Sequence, residues 1–382
     1  MRQFWLEVTP KVPLLVGDRT ADASYIIGRE VIPGVALRGA LAEFLALSGR
    51  RADIPAIVER YRFAPLLPAQ PNRLPYPCPL SAMNCKHDKK HGPWDTLILF
   101  GIWNCWQRQY NAHFAGPLMI DCPKCGGRTD RYTATAIVRK NQESIKWEKV
   151  RPKRYVQTKV AISRDREAAY EGMLYSVSAV SPNGIAYCGP VWCADERDFE
   201  LLCEALETVG LGALRRRGFG IVKVSETTVY QQDKTLQERL QDFNQVVAEV
   251  WRSLRALLEN GSVVEQPDGV YFSITLASPA ILTDRRGFPT LKLDLEWADS
   301  LFWVTRQTQV KGWHEGWGLP KKTEQAAAAG SAYLFRSKLP KDETIKNLEK
   351  IENTGVGLMK DAGFGHVIVC HPFHLEVMSC VK

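Results

Sequence analysis

No apolar run in this 382-residue chain is long enough to span a bilayer, and the opening MRQFWLEVT alternates apolar with polar positions where a secretory block would be continuous. The expectation is a cytoplasmic chain without membrane contact, whose ten cysteines serve as free thiols or metal ligands rather than disulfides. No Walker loop or metal-binding carboxylate cluster is present, which argues against a nucleotide hydrolase or polymerase. Charge of one sign is not in large excess: 50 Lys and Arg against 42 Asp and Glu leave +8, so net charge alone implies no polyanion partner. Histidine is scarce at seven, and none stands at a spacing that demands catalysis.

What is present is a repeated device. GLGALRRRGFG (210–220) and GVGLMKDAGFG (355–365) share G-x-G, a short basic spacer and G-F-G. Each follows a polar helical stretch (195–208, 341–353) and precedes an apolar strand-like run (221–224, 367–370). Glycines allow φ > 0 and let a phosphate approach backbone N–H groups, and arginines add charge. A single copy reads equally as a glycine-rich turn; duplication in matching contexts favours nucleic-acid binding. Between 139 and 166 ten Lys or Arg stand against three acidic residues, with Trp147 and Tyr155 interleaved. Cations for phosphate and rings for unpaired bases suit single-stranded RNA or DNA, although a solvated basic face has the same composition.

A hydrophobic content of 45% supplies material for more than one domain. The first strand precedes a helix entered through Pro33-Gly34, whose free N–H groups and Arg38 could meet a phosphate, with Gly39 allowing close packing. Residues 64–139, rich in Pro, Trp and Cys, read as an insertion. Strands follow at 155–162, 172–180 and 185–193, and removing the insertion leaves a β-α-β-β-α-β order, which suits a ferredoxin-like sheet. A bridging amphipathic helix falls within 231–260. A second β-rich unit over 261–382 places strands at 271–276, 291–297, 303–310 and 331–335, with no evident first helix. The fold class is thus α+β: a ferredoxin-like first unit (1–230) carrying a zinc-binding insertion, and a second copy that is degenerate or rearranged.

Cys122-Pro-Lys-Cys125-Gly-Gly has the form of a zinc knuckle, and Cys78-x6-Cys85 is its expected other half, giving a structural Zn2+ on Cys78, Cys85, Cys122 and Cys125. Cys105, His87 or His91 could replace one of the upstream pair. A redox C-x-x-C is the rival, but it should open a helix in a thioredoxin-like unit. Cys188, Cys193, Cys203, Cys370 and Cys380 sit in apolar contexts that suit buried free thiols.

IPGVALRGAL (32–41), TKVAISR (158–164), EGMLYS (171–176) and the two glycine loops together resemble the RAMP superfamily, the proteins that build CRISPR effector complexes. GWHEGWGLP (312–320) with GSAYLF (330–335) is similar to the second half of the Csx-ten family of type III-D systems. The resemblance implies tandem ferredoxin-like (RRM-like) RAMP domains and a non-catalytic subunit that grips the guide RNA's repeat-derived 5′ handle. Its implied partners are a large subunit, backbone RAMP subunits and, through the complex, target nucleic acid. It implies RNA contacts at Gly34, Arg38, Lys159, Arg164, Gly212, Arg215, Arg216, Arg217, Gly218 and Gly220. The second loop departs from the basic pattern, offering Lys360 beside Asp361. A metal-independent guide-processing endoribonuclease is the runner-up, with His314 as general base between Trp313 and Trp317. A free-standing zinc-containing RNA-binding protein is the third reading. Asp18 is a conceivable acidic cleavage residue whose ordinary use is turn chemistry.

Overall fold

The computed structural model describes residues 1–17, 25–71, 73–109, 113–114, 121–139, 147–163, 165–227, 234–260, 265–314 and 318–377. Among them the first unit contributes β1 (Arg2–Pro10), α1 (Gly34–Leu47), β2 (Arg62–Phe63), β3 (Leu67–Ala69), α2 (Leu97–Gln109), β4 (Arg154–Ile162), β5 (Ala169–Val180), β6 (Ala186–Cys193), α3 (Glu196–Val209) and β7 (Val222–Glu226). The second contributes α4 (Leu236–Arg255), β8 (Tyr271–Leu276), β9 (Ala298–Val304), β10 (Gln307–Val310), β11 (Glu324–Ala327), β12 (Ala332–Ser337), α5 (Lys341–Thr354) and β13 (Val367–Val369).

In the first sheet β1 lies between β7 and β6, antiparallel to both, and β2 and β3 pair with the far side of β6. In the second, β8 lies between β13 and β12, and β9 borders β12, again all antiparallel. Both sheets therefore run last, first, third, second. The expected strands at 155–162 and 172–180 are corrected in their place: they pair with each other and with Tyr25–Ile27 as a separate hairpin sheet. The second strand of the main sheet is instead the short β2–β3 stretch, at the edge of what reads as an insertion. The second unit has its own, smaller hairpin of β10 and β11 at the same point in its order. The 291–297 segment is not a strand; its alternate Leu291, Leu293, Leu295 and Trp297 pack irregularly against the core.

Strand alternation explains the first core. Phe4, Leu6 and Val8 are buried toward α1 and α3, with the Phe4 and Phe199 rings stacked at 4.9 Å. On α1, Leu37, Leu41 and Leu45 recur every turn on the buried face. α3 begins at Asp195, whose carboxylate accepts from the Asp198 N–H at 3.0 Å, and ends at Gly210 with φ 75°. The opposite sheet face carries Gln3, Trp5 and Glu7 beside Trp192, Pro190 and Cys188.

β8 is buried at all six positions because both faces are covered. Phe272 stacks on Phe335 at 5.3 Å and Trp297 at 5.2 Å, while Tyr271, on the other face, meets Trp251 of α4 at 6.5 Å. Trp251 in turn meets Trp106 of α2 edge-on at 4.8 Å. α2 lies inside the 64–139 segment, yet it packs on β9 and β12, and its Gly101 leaves room for the Leu334 side chain. α4 starts with a capping box, Thr235 and Glu238 each bonding the other's backbone N–H. Its buried Arg239 meets Glu352 of α5 through two 2.9 Å bonds.

Candidate nucleic-acid interface and metal cluster

The two glycine loops match bond for bond in their hydrogen bonding. Leu211 N–H donates to Gly220 O at 2.8 Å, Ala213 N–H to Leu15 O at 2.8 Å and Gly220 N–H to Pro13 O at 3.0 Å. In the second loop Val356 donates to Gly365 O, Leu358 to Ile281 O and Gly365 to Pro279 O at 2.9, 3.0 and 2.9 Å. Each loop is thus tied to the segment that follows its unit's first strand. Gly212 has φ 82°, and a Cβ there would run into the Leu15 carbonyl, so its glycine is demanded by this close approach. The N–H groups that a phosphate-cradling loop would leave open are largely used internally.

The spacer of the first loop is a short 3-10 turn, Arg215–Arg217, bracketed by Leu214 and Gly218 in the left-handed region. Its arginines differ in use. Arg215 donates to Val209 O at 3.1 Å and to both Glu43 oxygens at 2.9 and 2.7 Å, closing the end of α3 onto α1. Arg217 is exposed and donates to the Tyr175 hydroxyl at 2.7 Å, and Arg216 is exposed with no partner among the described residues. Phe219 is buried beneath the hairpin among Leu15, Val177 and Ala179. Lys159 Nζ lies 5.1 Å from the Phe219 ring, and Tyr155 meets that ring edge-on at 6.3 Å. Loop and hairpin therefore bring Lys159, Tyr155, Tyr175 and Arg217 together, and Arg216 is exposed beside Arg217 in the turn. Tyr175 and Phe219 were missed from sequence; the Phe of G-F-G was the available signal. Arg164 and Asp18 lie outside the described residues. The Trp313–His314 backbone pairs with Leu319–Pro320, and the His314 side chain falls outside the described set.

The α1 entrance lies against the second glycine loop. Gly34 is buried, and a Cβ on it would sit 2.7 Å from Phe63 O and 2.9 Å from Gly363 Cα of the second loop. Arg38 pairs with Asp361 at 2.5 Å. The second loop thus plugs the first unit's helix N-terminus, with Lys360 half-buried in its own 3-10 turn. Gly39 makes no close packing: a Cβ there would meet nothing within 4 Å.

Cys85, His91, Cys122 and Cys125 bring their ligand atoms within 4.8 Å of one another. Cys85 Sγ lies 3.6 Å from Cys125 Sγ, and Cys122 Sγ 3.7 Å from His91 Nδ1. Metal–sulfur bonds of about 2.3 Å in a tetrahedron place ligand atoms about 3.8 Å apart, so three thiols and an imidazole fit a structural zinc. The Asp88 N–H, 3.4 Å from Cys85 Sγ, lowers that thiol's pKa to about 7, favouring the ligating thiolate. The expected ligand Cys78 is corrected to His91. Cys78 lies beyond the Tyr76–Pro77 strand of a different small sheet and is buried; its thiol donates to Tyr132 O at 3.1 Å, and burial pushes its pKa up to about 12. Among the described residues no helix is long and apolar enough to cross a membrane.

A family model described as RAMP superfamily matches residues 9–223. The chain belongs to the RAMP superfamily. A second, described as CRISPR-associated protein (Cas_Cmr3), matches residues 135–372, so this RAMP protein is also a member of that CRISPR-associated family. Similar solved structures include a chain of the type III-B Cmr-beta complex bound to cognate target RNA, 10% identical over 95% of this chain and 96% of that one, with TM-score 0.43. A chain of the Csm3-Csm4 subcomplex of the type III-A CRISPR-Cas interference complex is 14% identical over 89% of this chain and 95% of that one, at TM-score 0.38. One from the Csm1-Csm4 cassette in complex with AMPPNP is 11% identical over 87% of each chain, at 0.35. No curated protein matches this RAMP chain.

Proposed function

We propose that this RAMP protein is a non-catalytic RNA-binding subunit of a type III CRISPR effector ribonucleoprotein, of the III-D kind, holding the repeat-derived 5′ handle of the guide RNA. On this reading its two sheets are tandem ferredoxin-like domains, Zn2+ on the Cys85 cluster stiffens the insertion, and it works in the cytoplasm beside a large subunit and backbone RAMP subunits. The observation that carries the proposal is the surface shared by the first glycine loop and the hairpin. Arg216 and Arg217 supply cations, and Tyr155 and Tyr175 supply rings beside Lys159, the combination that single-stranded RNA requires.

The test is binding of end-labelled repeat-derived RNA and a shuffled control, read on native and denaturing gels. A repeat-selective shift with intact RNA is expected. A discrete shorter product without added metal would instead make the protein a processing nuclease, and equal affinity for the shuffled RNA would remove the handle assignment. Arg216→Ala with Arg217→Ala should weaken binding and lower the salt slope by about 0.7 per lost phosphate contact on a single strand.

A further inference from the structure

Arg216-Arg217-Gly218-Phe219 of the first glycine loop has a second copy of its four residue types in the other unit, Arg285-Arg286-Gly287-Phe288. Both copies make the same turn. Gly218 and Gly287 have φ 83° and 84°, and each donates its N–H to the carbonyl three residues back, Arg215 O at 3.4 Å and Asp284 O at 3.0 Å. The two arginines therefore occupy the central positions of the turn in each case. The second copy is the tip of a hairpin in which Leu282 pairs with Thr290 and Thr283 with Pro289. Asp284 braces that tip: its carboxylate accepts from the Arg286 and Phe288 N–H groups at 2.9 Å each, and its own N–H donates to Phe288 O at 2.9 Å.

The copies differ in what they leave to solvent. Phe219 is buried beneath the first unit's hairpin, whereas Phe288 is 64% exposed and every residue from Thr283 to Pro289 is exposed with it. Neither Arg285 nor Arg286 forms an ion pair among the described residues. The tip also has a fixed place in the internal repeat. Ala213 donates to Leu15 O and Leu358 to Ile281 O, so Leu15 and Ile281 correspond, and the sequence reaches Asp-Arg three residues after each, at Asp18-Arg19 and at Asp284-Arg285. Asp18 and Arg19 lie outside the described residues. Leu15 itself packs on Phe219, beside the surface of the first loop and hairpin, so the tip occupies the matching position in the second unit.

We propose that this hairpin tip is a second RNA contact, with Arg285 and Arg286 on backbone phosphates and the Phe288 ring stacked on one unpaired base. The proposal rests on the RNA-binding reading above and adds to it a surface from the other unit. Cations on phosphate and a ring face on a base are the two components of single-strand binding, and here one braced turn supplies both. Because the turn's hydrogen bonds are already made, little ordering entropy is lost on binding. An acidic protein segment would satisfy the arginines and leave Phe288 in water. A base covers the ring as well, since Gly287 and Pro289 on either side leave its face accessible.

The experiment measures affinity for repeat-derived RNA across a salt series with Phe288→Ala, Phe288→Tyr and the tip pair Arg285→Ala with Arg286→Ala, beside the loop pair Arg216→Ala with Arg217→Ala. Each variant is checked by thermal melting, which should stay at the wild-type temperature for the exposed tip residues. Phe288→Ala should lose roughly 5- to 150-fold in affinity, the range for one stacked base, with an unchanged salt slope. Phe288→Tyr keeps the ring and should bind as the wild type does. The tip pair should lose affinity and lower the slope by about 0.7 per lost phosphate contact. Replacing RNA nucleotides one at a time with abasic sites should reveal one position at which Phe288→Ala costs nothing further. Wild-type affinity in Phe288→Ala, with the loop pair still impaired, would overturn the tip and leave the RNA-binding reading intact. No binding by the wild-type protein would sink both. Unchanged RNA affinity in every tip variant, together with lost association with neighbouring subunits, would assign the tip to a protein partner and reject the proposal equally.

Discussion

Three consecutive arginines, Arg215, Arg216 and Arg217, look alike in sequence and are put to different uses by their surroundings. Arg215 is spent on Glu43 and the Val209 carbonyl, so Arg215→Ala should lower stability by about 1 kcal/mol, measured by denaturant unfolding, and leave the RNA salt slope unchanged. Arg216→Ala should do the reverse. A second contrast concerns His366, whose pKa is lowered to about 3, first by burial and then by the neighbouring Arg62 charge. The unfolded ring titrates near 6.5. Above that pH both states are neutral and the fold is undisturbed. As pH falls below it, the unfolded chain gains a proton that the fold refuses until about pH 3, so stability is lost progressively across that window. His371, lowered well below its ordinary value by burial and by His374, acts in the same direction. Unfolding free energy should therefore decline from pH 7 to pH 5, and His366→Phe should make the decline shallower; an unaltered pH slope would mean that the ring is protonated in the fold.

At the scale of elements, the C-x-x-C-G knuckle and its partner Cys85 were legible because paired cysteines mark the chemistry, and the choice of His91 over Cys78 was not, because the fold decides which group returns to the knuckle. Cys78 has the residue type but sits on the wrong strand, whereas His91 ends a short 3-10 turn that returns toward Cys122. Metal content measured by mass spectrometry should fall in His91→Ala and Cys122→Ser and stay at the wild-type level in Cys78→Ser. The two glycines of α1 provide a paired test. Gly34→Ala must displace Phe63 or Gly363 backbone and should cost about 1–3 kcal/mol. Gly39→Ala meets nothing and should stabilise the helix by about 0.5–1 kcal/mol. Equal melting temperatures for the two variants would show that the second loop does not press on the α1 entrance.

At the scale of the molecule, the two units share more than a loop motif. Each first strand is followed by a segment that receives its own glycine loop and bridges its own hairpin, Leu14 to Val180 and Ala280 to Ala327. They then diverge in what covers them. The first sheet has α1 and α3 on one face and a cleft lined by Trp5 and Trp192 on the other. Among the described residues the second has no helix between β8 and β9, and α2, α4 and α5 bury its sheet instead. The duplicated loop has likewise changed purpose: basic and facing the hairpin in the first unit, it carries Asp361 and abuts α1 in the second. That covering makes a prediction about the packing of helices on the second sheet. Glu352→Gln weakens the ionic partner of the buried Arg239, which ties α4 to α5. It should cost roughly 3–5 kcal/mol by denaturant unfolding, while sparing RNA affinity in the fraction that stays folded.

The sequence by itself determined the α+β class, the duplicated glycine loop, the helix over 236–255 and three of the four residues of the Cys/His cluster, because glycine loops, helical periodicity and paired cysteines are local signals. The strand order within each sheet, the use of β4 and β5 as a hairpin outside it and the choice of β2 as the edge strand were decided by tertiary structure. β4 and β5 read as core strands through their alternation, yet Val156, Val160 and Leu174 remain exposed, and alternation alone does not say which sheet a strand joins. Arg62 was unremarkable in the chain. It becomes a buried residue, packed between the Trp192 ring and His366, only through the tertiary structure that brings the second unit's His366 against it.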